Sequence, residues 1–133
     1  VNTLLHKISL RECRKLSEAE ILLRKIPHDN SAGHLDLLLE KINSGLARVL
    51  EVNKDGKQIG VCIYEVYKGE FWVLALICSK PVDCFKTIYP IITEYAKVRR
   101  CSVICFKTVR PGLIDAALQN SFYVSSVEMR KSL

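Results

Sequence analysis

The chain has 133 residues, 49% of them hydrophobic and 26% charged, with a formal net charge of +6. That is the size and balance of one globular domain able to bury a full core. It excludes a disordered, collagen-like or coiled-coil chain. The longest apolar run, Phe71 to Cys78, is strand-length and far short of a membrane span. No charged segment leads an apolar run at the start, so a cytoplasmic chain is the expectation.

In chain order, Leu4 to Leu10 alternates loosely and predicts a first strand. Leu16 to Ile26 predicts a helix, with Ser17 and Glu20 as a capping box and Pro27 ending it. His34 to Ser44 predicts a second helix, with Gly45 as its C-terminal cap. The period then changes. Ala47 to Asn53 and Gln58 to Tyr67 read as two strands joined by Asp55-Gly56, a strong hairpin signal. Lys68-Gly69 makes another tight turn. Phe71 to Ser79 is apolar on both faces, as expected of a strand in mid-sheet covered by helices on each side.

Helical spacing resumes after Pro81 with Phe85, Ile88, Ile91, Ile92, Tyr95 and Val98, and Pro90 should kink or split this run. Ser102 to Thr108 predicts a short strand, Arg110-Pro111-Gly112 opens a last helix, and Phe122 to Met129 predicts a closing strand. The class is therefore α/β: a mixed sheet with an antiparallel meander followed by β-α-β-α-β, helices on both faces, one domain over residues 1–133.

This order of elements resembles the GNAT superfamily of acyltransferases, which carry an acyl group from coenzyme A to an amine. Ser102-Val103-Ile104-Cys105-Phe106 resembles the fifth strand of that fold. Arg110-Pro111-Gly112-Leu113-Ile114 and Asn120-Ser121-Phe122-Tyr123-Val124 resemble the helix and "GF" turn that follow it. The Arg-Pro-Gly opening is similar to short GNAT-like proteins of tailed bacteriophages.

The resemblance implies a pyrophosphate loop after the fourth strand, where backbone N–H groups at a helix start hold phosphate and glycines permit close approach. That loop falls on Lys80-Pro81-Val82-Asp83-Cys84-Phe85, with Lys80 as its basic first residue. Its two glycine positions hold Asp83 and Phe85, and no glycine occurs between Gly69 and Gly112. Asp83 fits better as a helix N-cap. The tyrosine acid that the family places in its last helix corresponds to Ala117, and the turn glycine to Ser121.

Two function classes follow. The first is a non-catalytic GNAT-like protein, of the phage type, that binds another protein. Tyr64, Tyr67 and Trp72 are the candidate contact residues, against a plain role in sheet packing. The second is a divergent acyl-CoA N-acyltransferase using acetyl-CoA. The backbone of Leu76, Ile77 and Cys78 would pair with the pantetheine arm like an added strand, and Lys80 and Lys86 would hold phosphates. Glu65 and Glu70 are weak candidates for a general base, against solvated strand-end charges.

A nucleic-acid partner would need Lys97, Arg99, Arg100, Lys107 and Arg110 on one face, and no aromatic-interleaved basic motif supports it. The six cysteines show no C-x-x-C spacing, so no metal site is expected. Cys62, Cys78 and Cys105 lie in strand-like runs and read as reduced core thiols. Cys84, near a predicted helix start, is a weak candidate nucleophile, with no histidine placed by motif to serve it.

Overall fold

The computed structural model describes residues 7–13, 16–25, 34–78, 83–108 and 111–133. Its strands are β1 (Ile8–Glu12), β2 (Arg48–Lys54), β3 (Lys57–Tyr67), β4 (Glu70–Cys78) and β5 (Val103–Cys105). Its helices are α1 (Leu16–Lys25), α2 (His34–Asn43), α3 (Cys84–Thr87), α4 (Tyr89–Val98) and α5 (Pro111–Leu118). One sheet runs in the order β1-β2-β3-β4-β5. The first three pairings are antiparallel and β4–β5 is parallel, which requires the crossover that α3 and α4 supply.

Both hairpin turns form where the sequence puts them. Asp55 and Gly56 have φ of 52° and 82°, and Lys68 and Gly69 have φ of 50° and 76°. Two successive left-handed residues match the twist of the flanking strands. Gly45 (φ 81°) ends α2, donating to the carbonyl of Ile42. Pro90 splits the long helical run into α3 and α4. It falls in the first turn of α4, where its missing N–H would have had no partner anyway.

The helices cover both faces. On one, Leu23 of α1 and Leu38 of α2 pack on Val49, Val61 and Ile63. On the other, Phe85 of α3, Ile88 between the two helices, Tyr89, Ile92 and Ala96 of α4, and Ala117 of α5 cover Leu50, Val52, Cys62, Tyr64, Phe71 and Val73. Among the described residues nineteen hydrophobic ones are buried, and no polar or charged one is.

Four expectations are corrected. Phe122 to Met129 forms no strand: the edge strand β5 is three residues long, and Tyr123, Val124, Val127 and Met129 lie exposed without a ladder. Isolated extended backbone has nothing to hold it in a sheet. Tyr64 is not a surface contact residue. It is 2% exposed and stacks on Phe71 at 4.6 Å, because its register position faces α4. Cys78 and Cys105 are half-buried rather than core, and only Cys62 is fully enclosed. Ser17, the predicted cap of the first helix, is instead the second residue of α1, and Glu20 accepts from Arg24 at 3.4 Å one turn on. The first part of the predicted first strand and Pro27 lie outside the described residues.

Candidate functional site at the open end of strand β4

β4 has two different ends. Glu70, Phe71 and Trp72 pair with β5 on one side and with β3 on the other. From Val73 onward no ladder joins β4 to β5 among the described residues, while pairing to β3 continues as far as Cys78 opposite Gly60. The change coincides with a β-bulge. Tyr64 opposes Val73 and Ile63 opposes Ala75, which leaves Leu74 as an extra residue on β4. Leu74 and Ala75 consequently both pack toward α1 and α2, while Val73, Leu76 and Cys78 pack toward α3 and α4. A bulge bends its strand and sharpens the local twist, which turns β4 away from a straight neighbour.

The backbone of Leu76, Ile77 and Cys78 is thus a sheet edge inside the molecule rather than at its rim. An extended ligand can add to such an edge through main-chain hydrogen bonds. Gly60 keeps β3 tight against this segment. A Cβ there would lie 2.5 Å from the carbonyl oxygen of Ile77.

The far wall of the opening is aromatic. Phe85 stacks on Tyr89 at 5.0 Å and meets Phe122 edge-on at 5.6 Å, and Phe106 lies 5.4 Å from Phe122. Phe85 therefore points into the core, which explains a bulky residue at a position where the resemblance implies glycine. Asp83 caps α3 by accepting from the Lys86 N–H at 3.3 Å. The exposed Lys86 is one turn from the opening. Lys80, Pro81 and Val82 lie outside the described residues.

Ala117 is buried against the same cluster and brings no acid. Beyond it, Ser121 has φ 68° and Phe122 donates to the Ala117 carbonyl at 3.1 Å, a Schellman-type helix end that favours glycine at Ser121. The position matched to the family's turn glycine is thus left-handed in this chain.

The two candidate carboxylates sit elsewhere. Glu70 is the first residue of β4, about 20 Å along the strand from Leu76 at ~3.3 Å per residue. It accepts a hydrogen bond from Trp72 Nε1 at 3.2 Å. Glu65 accepts from Lys41 Nζ at 3.5 Å. The structure therefore brings Leu76, Ile77, Cys78 and Lys86 to one end of the sheet, and Glu65 and Glu70 to the other.

Sequence reasoning missed three features. One is the bulge, which leaves no trace in a run apolar on both faces. The second concerns Cys78 and Cys84. Both pack on the same core cluster, and the Cys84 thiol is pulled down to about 7, chiefly by Cys78, against the opposing effects of burial and Asp83. The Cys78 thiol is pushed up by Cys84 and by burial. Cys62, beneath them, is raised by burial to about 12.

The third is a polar clamp centred on Glu12. Its carboxylate accepts from Arg48 (3.1 Å), Arg99 (2.7 Å), Tyr95 (3.2 Å) and Tyr64 (3.3 Å). Burial pushes the Glu12 pKa up, but the two arginines outweigh it and the net shift is down. This clamp ties the end of β1 to β3 and to the last turn of α4. It also engages Arg99 on an internal carboxylate and so removes it from the proposed nucleic-acid face. Lys97 pairs with Glu94 (3.4 Å), and Lys107 lies over the Trp72 ring.

Cys13, Glu18 and Glu51 present ligand atoms within 4.8 Å of one another. Arg11 hydrogen-bonds to both carboxylates, and burial followed by Glu18 raises the Cys13 thiol to about 11. A cation there would have to displace the guanidinium.

The architecture is that of the GNAT acetyltransferases. No family model matches the sequence, and no curated protein matches it. Solved structures do match over nearly the full length. A transcriptional regulator from Bacillus halodurans C-125 is similar with a TM-score of 0.62 at 14% identity, over 96% of this chain and 100% of that one. A GNAT family acetyltransferase from Staphylococcus aureus gives 0.59 at 16% identity, over 95% and 98%. Aminoglycoside N-acetyltransferase AAC(6')-Iy in complex with CoA gives 0.60 at 14% identity, over 96% and 95%. At such identities the likeness establishes the fold alone. Among the described residues no helix is long and apolar enough to cross a membrane.

Proposed function

We propose that this chain binds an acyl-CoA at the open end of β4 and acts as a divergent acyl-CoA N-acyltransferase. The observation that carries the reading is the bulge at Leu74, with the β4–β5 ladder ending just before it. A sheet in which one strand turns away from its parallel neighbour, leaving main-chain groups of Leu76 to Cys78 available, fits the extended amide-bearing arm of pantetheine. The GNAT fold and a CoA-bound neighbour support the same ligand. Lys80 and Lys86 are the cations we assign to its phosphates, as point charges in place of a glycine cradle.

When bound, the thioester supplies an activated acyl carbonyl. The chain's part is to hold the arm in register and exclude water from it through the wall of Phe85, Phe106 and Phe122. Glu65 and Glu70 lie at the other end of the sheet, paired with Lys41 and Trp72, so neither is assigned as the base that takes the proton of the attacking amine.

A specific observation favours a second reading. Ala117 lies where the family resemblance implies an acid for the leaving thiolate, and its burial leaves no room for a substitute at that position. On this reading the scaffold is non-catalytic, of the phage type, and works through a protein partner.

Calorimetric titration with acetyl-CoA and with CoA tests the proposal. Micromolar binding, weakened by Lys80→Ala and Lys86→Ala, is expected. No heat and no thermal shift at millimolar ligand would overturn it. Binding without turnover on a panel of amines would select the second reading.

A further inference from the structure

Two strand edges in this chain lack a neighbour. β5 pairs with β4 on one side, and among the described residues nothing pairs with it on the other. Its residues Val103, Ile104 and Cys105 are half-buried, and they carry none of the charges, prolines or bulges that protect an exposed edge. The second is segment 123–131, which joins no ladder. It alternates with the period of a strand. Tyr123, Val127 and Met129 fall on one side, exposed by 74%, 76% and 89%. Val124, Ser126, Glu128 and Arg130 fall on the other. The ion pair of Glu128 with Arg130 at 2.7 Å joins two residues that share a side of an extended chain. Phe122 is fixed just before them. Its ring packs on Phe85, Tyr89 and Phe106, and its N–H donates to the Ala117 carbonyl. The segment therefore leaves the fold at a set point with its apolar side uncovered.

We propose that segment 123–131 is a dimerisation strand and that its partner is a second copy of this chain. Each segment pairs with the free edge of β5 in the other copy, and the two segments pair antiparallel with each other about a two-fold axis. The order across the interface is β5, the second copy's segment, the first copy's segment, and the second copy's β5. Two five-stranded sheets become one, and the assembly closes with neither edge left over.

A second copy fits because one chain supplies both the strand and the edge, whereas a single foreign strand would satisfy only one of them. A two-fold centred on Ser126 sets Tyr123 opposite Met129 and Val127 opposite Ser125 of the second copy, so that a ring covers a thioether. It opposes no like charges. A centre on Glu128 would set that carboxylate against its own copy. The area also fits. A stable pair needs about 800 Å² from each copy. Three large side chains standing almost free in solvent, with the backbone of the segment paired on both edges, supply an area of that order. The proposal does not depend on whether CoA binds.

Sedimentation of the full chain over a range of concentrations should show a 15.1 kDa monomer giving way to a species of twice that mass. Hydrogen exchange read by mass should find the amides of 123–131 slowed at least tenfold where the dimer dominates. Val127→Glu, at a site exposed in the monomer, should raise the dimer dissociation constant at least tenfold and leave the monomer's melting temperature unchanged. Ser126→Cys should give, on mild oxidation, a dimer crosslinked through position 126 of both chains. Directly opposed residues bring their Cα atoms to about 4.5–5.5 Å, within the reach of a disulfide. Three results would each overturn the proposal: a monomer at every concentration, a dimer whose segment exchanges as fast as the monomer's, or a segment already protected in the monomer by pairing with its own β5. The wild-type exchange map stands even if a variant fails to fold.

Discussion

The two ends of strand β4 differ in one respect that organises the whole molecule. At its start, Glu70 to Trp72 are bound on both edges, to β3 and β5, with Phe71 fully buried under Tyr64 and Tyr95. At its finish, Leu76 to Cys78 are bound on one edge only. The closed end is held by the Glu12 clamp, which fastens α4 to β1 and β3 close by. The open end carries two half-buried thiols, Cys78 and Cys84, and backbone that no ladder joins to β5 among the described residues. Pairing on both edges and pairing on one are thus separated along a single nine-residue strand, and the extra residue Leu74 marks the border.

Gly60→Val should have the largest effect on this contrast. The new Cβ meets main chain rather than a flexible side chain, so β3 and the open end of β4 must move apart. We expect a loss of about 2–3 kcal/mol in denaturant unfolding. A stability within experimental error of wild type would show that the open end is already loose.

Glu12→Gln should loosen the closed end by about 1–2 kcal/mol, reduced from the full value of a charged network because the carboxylate is partly exposed. The sign with pH is definite. The folded pKa of Glu12 lies below its ordinary 4.5. Its contribution is therefore complete above that pH and lost as the pH falls through the folded value. The stability gap between wild type and variant, followed by urea melts, should close on acidification. A gap that stays constant from neutral pH downward would contradict the charged clamp.

Ser121→Gly should stabilise by about 1 kcal/mol, since a left-handed residue other than glycine is strained by that order. Thermal melts would detect it, and a destabilisation would mean that the serine hydroxyl makes up for the strain.

Removal of Leu74 is the sharpest probe of the border, although its effect on stability should be small. Without it, Val73, Ala75, Leu76, Ile77 and Cys78 alternate faces without interruption, each toward the helices it already meets. The fold should survive and CoA affinity should fall at least tenfold. Unchanged affinity would separate the bulge from the ligand.

Much of the fold was legible because its signals are local. Turn pairs such as Asp55-Gly56 and Lys68-Gly69, the cap at Gly45 and the break at Pro90 act through φ preference and a missing N–H, which a residue carries wherever it stands. The Asp83 cap and the burial of Phe85 followed from the same local reasoning. The closing strand did not, because Phe122 to Met129 has the composition of a strand but no ladder to join. Tyr64 shows the converse: an aromatic near a hairpin reads as surface until its register turns it toward α4.

The sequence by itself determined the element order as far as the last helix, both hairpin turns and the absence of glycine between Gly69 and Gly112, since these are properties of single residues and short spacings. Only the tertiary structure decided where β4 parts from β5, and that Glu12 gathers two arginines and two tyrosines. Those depend on register and on contacts between distant segments, which periodicity in a doubly apolar strand does not encode.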